Sequence, residues 1–251
     1  KNVLVEGVIT TQCPTGGSDS ITIRNVKSIS SYGWGDGMNV FASNNCIVST
    51  AYFAVTPTIA PPSTELVWDL PAVAKNHHAK LTLWADVAHP IFIGIHGDVE
   101  NPEILENLNY INIDILDHKE KQLDYQAACH QSQGDNNLIR DVRSEYPEED
   151  FRQGQLVNLR IFYNEKYCKA PGRGIENVLF KDISYTGENA EVSMIIGYDK
   201  ERKVKNIRFE NLQINGEVIY DDMPDKPKWY KTGDMARIFV GEHTEEVTFR
   251  K

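Results

Sequence analysis

The sequence predicts an all-β protein, a single-domain right-handed parallel β-helix spanning residues 1–251, and three observations carry that prediction. A short phrase keeps returning: an Asn, a β-type residue, then alternating apolar and polar positions. Its clearest copies are KNVLVEGV from Lys1, LENLNYINI from Leu105, IENVLFKDI from Ile175 and VKNIRFENL from Val204. The copies recur at intervals of roughly 20–30 residues, the regime of stacked solenoid units. Each run is short, rich in Val, Ile, Phe and Tyr, and alternates at period two, so it reads as strand and not helix. A β-sandwich or β-propeller is the competing architecture, and the returning period favours the solenoid.

Taken in order, the chain opens on the strand-like KNVLVEGVIT with no cap before it, so the domain is expected to lack its N-terminal coils. Weaker copies follow as ITIRNVKSI from Ile21 and NNCIV from Asn44. Residues 47–80 change texture and read as an atypical loop or degenerate segment. They hold four of the eleven prolines (Pro57, Pro61, Pro62, Pro71), and proline removes ladder donors. A buried strand returns at WADVAHPIFIGIHGD, residues 84–98, where Ile91, Phe92, Ile93 and Ile95 lie between Asp86 and His89 on one side and His96 and Asp98 on the other. After LENLNYINI come NNLIRDV from Asn136 and LVNLRIF from Leu156, then the two clear late copies. DDMPDKPKWYKTGD from Asp221 reads as an excursion, and FVGEHTEEVTFRK as the final strand. The recurring Asn (Asn2, Asn107, Asn177, Asn206) fits a turn position, because Asn tolerates left-handed angles and its amides can bond along a stack.

Composition excludes several classes. A formal net charge of −10 argues against a nucleic-acid partner, since phosphate binding needs a basic surface. No apolar run is long enough to cross a bilayer, so no membrane partner is expected. Cys13, Cys46, Cys129 and Cys168 are scattered without CxxC spacing and read as single buried thiols, not a zinc site or a disulfide framework. His96 and Asp98 have no third ligand at suitable spacing, so neither metal nor other cofactor is expected.

Three stretches resemble the pectinase-like β-helices, in particular the polygalacturonase group, glycoside hydrolase family 28. GWGDGMNVFASNN, with Asp36 before Gly37, is similar to that family's Asn-Thr-Asp-Gly strand, with Trp34-Gly35 in place of Asn-Thr. WADVAHPIFIGIHGD is similar to its Gly-His-Gly strand, with His89 at the His and Ala88 and Pro90 in place of the glycines. LRIFYNEKYCKAPGRGIENVLFKDI is similar to its Arg-Ile-Lys strand, with Arg160 and Ile161 matched and Phe162 in place of Lys. The order of carboxylate, His and Arg strands is kept. The resemblance implies a pectin lyase-like fold, secretion or periplasmic location, and inverting hydrolysis of a plant or microbial polysaccharide, with a pectin-type uronate chain favoured.

The chemistry of those positions stands beside the resemblance. Neighbouring coils stack about 4.8 Å apart, so equivalent positions form outward columns. Inverting glycosidases hold two carboxyl groups about 6.5–9.5 Å apart, one or two such spacings. Asp36 and Asp86 are the expected catalytic carboxylates and His89 tunes them. Arg160 binds substrate oxygens or a carboxylate through its planar fork, with Trp34, Trp84 and His96 as further substrate contacts. The duller readings are a turn at Asp36, a loop His at position 89 and a solvated Arg at position 160.

One family feature is missing. The family's Asp-Asp pair falls in the interval between the carboxylate and His strands, and here that interval holds only Glu65 and Asp69 as acids. An arm in place of the coil, a disabled enzyme, or acids drawn from elsewhere such as Asp86 all account for this. The alternative function is therefore a catalytically inactive β-helix that binds polysaccharide or serves as a scaffold. Exposed coil contacts at the opening of the chain predict self-association through that end.

Overall fold

The computed structural model describes residues 2–10, 13, 15–30, 38–41, 43–55, 65–68, 75–85, 89–93, 99–115, 131–132, 136, 138–145, 148–149, 155–161, 163, 165, 168–187 and 192–251. Strands follow one another in chain order as β1 (Val3–Glu6), β2 (Ile9–Thr10), β3 (Thr15–Gly16), β4 (Ile21–Arg24), β5 (Lys27–Ser30) and β6 (Met38–Phe41). Next come β7 (Ile47–Val55), β8 (Glu65–Trp68), β9 (Lys75–Ala85), β10 (His89–Ile93), β11 (Ile104–Ile115) and β12 (Gln131–Ser132). The chain continues through β13 (Leu138–Ser144), β14 (Glu148–Glu149), β15 (Asn158–Ile161), β16 (Gly174–Lys181), β17 (Ser184–Tyr185) and β18 (Ser193–Ile196). It ends with β19 (Val204–Glu210), β20 (Leu212–Ile214), β21 (Glu217–Ile219), the short helix α1 (Thr232–Met235), β22 (Ile238–Val240) and β23 (Thr244–Arg250).

The protein is all-β and its sheets are parallel. The main path of a twelve-stranded sheet runs β1-β4-β7-β9-β11-β13-β16-β19-β23, rising steadily along the chain. Two four-stranded sheets, β10-β8-β6-β3 and β12-β15-β18-β22, and a three-stranded one, β17-β20-β21, take strands that fall between, while β2, β5 and β14 pair beside the main path of the large sheet. Each visit to the large sheet is thus followed by one to a small sheet before the chain returns beside its predecessor. Among the described strands only β20 and β21 pair antiparallel. Parallel pairing leaves no place for a sandwich or propeller, whose strands are antiparallel. The stretch 47–80 carries β7, β8 and the start of β9, all paired in parallel.

The recurring phrase has a backbone cause. Asn2, Asn107, Asn177 and Asn206 all have left-handed angles, with φ of 56°, 57°, 56° and 52°. A left-handed residue inside a strand breaks the period of two, so inward side chains fall at Leu105, Leu108 and Tyr110 around Asn107. The same spacing recurs at Ile139, Val142 and Ser144, at Ile175, Val178 and Phe180, and at Val204, Ile207 and Phe209. Registers stack these sets directly, Leu108 on Val142 on Val178 on Ile207, and Ser144 on Phe180 on Phe209 on Phe249. The weaker copies are shifted against the strong ones. Asp141, not Asn136, follows Asn107 in the column with φ 55°, and Ser20 rather than Asn25 occupies it in the early copy with φ 63°. Within the column Asn206 Nδ2 donates to Asn177 Oδ1 at 2.8 Å, and Asn177 Nδ2 to Asp141 Oδ1 at 2.9 Å. A second column stands at the next corner, where Asn211 Nδ2 donates to Asp182 Oδ1 at 2.8 Å.

Cys46 and Cys168 are buried thiols and Cys13 is a half-buried one; Cys129 lies outside the described residues. Burial pushes the Cys46 thiol up to about 11. No helix of the described chain is long and apolar enough to cross a membrane.

Candidate functional site

Trp34, Asp36, Asp86 and His96 lie outside the described residues. In sequence, Asp36 stands two residues before β6, Asp86 between β9 and β10, and His96 just after β10. Trp84 and His89 fall on different sheets: Trp84 lies in β9, paired with Phe53 and Ile115, whereas His89 opens β10. His89 stands opposite Glu65, the first residue of β8, and the register then shifts before Phe92 pairs with Val67. Pro90 explains the shift, because it has no N–H to give to the ladder. On the other side of β8, Met38 pairs with Leu66. Glu65 and His89 therefore open two hydrogen-bonded neighbours, β8 and β10, with β6 on the other side of β8. The sequence alone shows Glu65 only as one of two acids in an irregular stretch; its pairing with His89 needs the register.

Arg160 is half-buried in β15, between Gln131 of β12 and Ile196 of β18. A chain of amides holds it. Gln155 Nε2 donates to the Val192 carbonyl at 2.9 Å, and Asn158 Nδ2 donates to Gln155 Oε1 at 2.6 Å. Arg160 Nε in turn donates to Asn158 Oδ1 at 2.8 Å. Asn158 is fully buried and Gln155 nearly so. Buried amides destabilise a fold unless their bonds are made, and here each bond made sets the plane of the guanidinium. Asn158 departs from the recurring Asn of the phrase: it is a strand residue two before Arg160 and does not share the left-handed angle of the column. The i, i+2 spacing puts both on one face of a strand, and that spacing was the available signal for Asn158. Nothing local to Gln155 marks it.

Beyond Arg160 the same sheet becomes apolar. The registers run Asn158 to Met194 to Phe239, and Arg160 to Ile196 to position 241, next after β22. Phe239 is 55% exposed. Gly241 N–H donates to the Ile195 carbonyl at 2.9 Å, which carries the register one residue past β22.

The outer face of the large sheet is built differently. Outward positions alternate in sign from strand to strand, Glu106, Arg140, Glu176, Lys205 and Glu245, in direct register. Arg140 Nε donates to Glu106 at 2.6 Å, and Lys203 Nζ to Glu245 at 2.5 Å. The charges of that face are matched by its own neighbours, which leaves little field for a charged ligand. Among the described residues no group of three His, Cys, Asp or Glu side chains is arranged to hold a metal ion. A cavity of about 480 Å³ lies at the last strands, bordered by Asp221, Lys231, Phe239, Glu246, Val247 and Phe249. Of its acids, Asp221 is engaged within the chain, since Thr232 Oγ1 donates to Asp221 Oδ1 at 2.6 Å and Phe249 N–H to Asp221 Oδ2 at 2.8 Å.

No protein-family model, curated protein or solved structure matches this chain.

Proposed function

We propose that the chain is a right-handed parallel β-helix that binds a uronate-bearing polysaccharide along the outer side of its small sheets and hydrolyses it with inversion. The rising strand order supports the β-helix, and crossovers between parallel strands are right-handed in the great majority of cases. One observation carries the functional reading. The three stretches that resemble the polygalacturonase group lead into the small sheets in the same order, β6 after Asp36, β10 at His89 and β15 with Arg160. β6 and β10 are two strand spacings apart in their sheet, about 9.6 Å, just beyond the roughly 6.5–9.5 Å between the carboxyl groups of inverting enzymes. In this reading Asp36 and Asp86 supply the acid and base, with Glu65 as a further carboxylate at the level of His89. His89 tunes whichever acid it meets, and Arg160 anchors a sugar carboxylate through its planar fork. Such a substrate is extracellular, so the protein acts after secretion or in the periplasm.

The missing Asp-Asp pair favours a second reading, a β-helix that binds the polysaccharide and leaves it intact. Incubation with polygalacturonate, rhamnogalacturonan and dextran, followed by assay of reducing ends, separates the two. Cleavage that disappears in Asp36→Asn supports the hydrolase. Binding without new reducing ends supports the inactive binder, and neither binding nor cleavage overturns both.

A further inference from the structure

We propose that the excursion between β21 and β22 holds a site for a small quaternary ammonium compound, with Trp229 and Tyr230 as the walls of its aromatic corner and Glu217 and Asp225 as its counter-charges. This goes beyond the polysaccharide reading and does not depend on it.

The sequence of the excursion presets its shape. Pro224 stands at the second position of a turn that Lys226 N–H closes onto the Met223 carbonyl at 3.2 Å. A second turn follows at once, in which Tyr230 N–H donates to the Pro227 carbonyl at 2.9 Å. Lys226 Nζ reaches across the second turn and donates to the Tyr230 carbonyl at 3.2 Å. The two ends of the excursion are tied together, since Thr232 Oγ1 donates to Asp221 Oδ1. A backbone whose bonds are made locally loses little further freedom when a ligand arrives. It holds Trp229 in place yet leaves that side chain 82% exposed, so burial is not the reason for a Trp here.

A cavity of about 360 Å³ opens beside that ring, with Tyr230, Met223 and Met235 in its wall. The rings of Trp229 and Tyr230 lie 5.7 Å apart between centroids and 86° apart in plane, so two π faces meet at a right-angled corner. Glu217 and Asp225 bring carboxylates to the same cavity, and the ammonium of Lys226, which also lines it, is drawn onto the Tyr230 carbonyl. These walls select the occupant. An anion meets two carboxylates against one ammonium among the described residues. A neutral apolar molecule would strip water from the carboxylates and return nothing. A sugar would find few polar groups converging on its hydroxyls. A primary ammonium must give up strongly held water. A quaternary ammonium has no hydrogen to donate, carries its charge under an apolar surface and is attracted by π faces. The polarizable thioethers of Met223 and Met235 suit its methyl groups.

Isothermal titration of the whole chain with choline, its uncharged tert-butyl isostere, ethanolamine and glycine betaine tests this. Choline should bind at least about fivefold more tightly than the isostere, which shares its shape and lacks its charge. Ethanolamine has the charge without the methyl groups, and glycine betaine adds a carboxylate; both should bind more weakly than choline. Trp229→Ala, at an exposed position that spares the core, should weaken choline by at least about fivefold. Trp229→Leu keeps an apolar side chain without the π face and should do the same. Asp225→Asn should weaken choline about threefold and leave the isostere unchanged. An isostere that binds as well as choline would overturn the proposal, and so would choline binding unchanged by both Trp229 substitutions. No binding of choline would overturn it too, even where a peptide bearing trimethyl-lysine binds. None of these outcomes bears on the polysaccharide reading.

Discussion

A left-handed backbone angle costs most residues about 1–2 kcal/mol and costs Asn less, because its short amide bonds locally and tolerates the conformation. That preference explains the Asn at positions 2, 107, 177 and 206, and it also exposes the column's weak member. Glu246 follows Asn206 in register and carries φ 58° on an exposed side chain. In the column each later amide donates to the earlier one, as Asn206 does to Asn177. Glu246→Asn should therefore relieve the backbone and offer an Nδ2 donor to Asn206 Oδ1. A gain of about 1 kcal/mol, or roughly 2–4 °C in Tm by calorimetry, is the expected outcome. An unchanged or lower Tm would mean that the column is set by strand pairing and not by residue preference. The column was legible in the sequence only where Asn occupies it. Ser20, Asp141 and Glu246 adopt the same angle without announcing it, because parallel pairing imposes the conformation, from both sides at Ser20 and Asp141 and from β19 alone at Glu246. That Arg160 lies in a strand was legible for the same kind of reason, through a local motif. Its supports were only half legible: the i, i+2 spacing puts Asn158 on the same strand face, but the burial of Gln155 and Asn158 arises from packing that no spacing records.

Strands of the large sheet are held together through columns that cross them, so a change in one strand reaches its two neighbours. Phe209 is fully buried and stacks on Phe180 at 4.9 Å and on Phe249 at 4.8 Å, with the rings 15° and 7° from parallel. Phe209→Ala removes both stacks and leaves a cavity that rigid strands cannot fill. The expected loss is about 3–5 kcal/mol in denaturant unfolding. Arg208, one residue earlier on the outer face, pairs with Glu210 at 3.3 Å, and Arg208→Ala should cost under about 1 kcal/mol. Comparable losses at the two positions would deny that the interior columns dominate. Alternation and β-branched content made the strands legible as strands. Their distribution between sheets was not, because LVNLRIF and VKNIRFENL look alike in sequence although β15 belongs to a small sheet and β19 to the large one. Only the separation of the partners in the chain decides which copy meets which.

At the level of the molecule, two faces and two edges behave differently. The large sheet's outer face neutralises itself strand by strand, whereas the β15-β18-β22 sheet carries Met194, Ile196 and Phe239 in neighbouring register rows beyond Arg160. The edges of the large sheet differ in cover. On the β23 side, residues between β21 and β22 reach the last strand, and Asp221 N–H donates to the Phe249 carbonyl at 3.0 Å. On the other side β1 is the outermost described strand, and Leu4 and Ile9 near it are 55% and 70% exposed. The covered side carries its own test: Asp221 accepts from Thr232 Oγ1 at 2.6 Å and from Phe249 N–H at 2.8 Å, so Asp221→Ala should cost about 1–3 kcal/mol in denaturant unfolding, and an unchanged midpoint would mean that the cover adds nothing to the last strand.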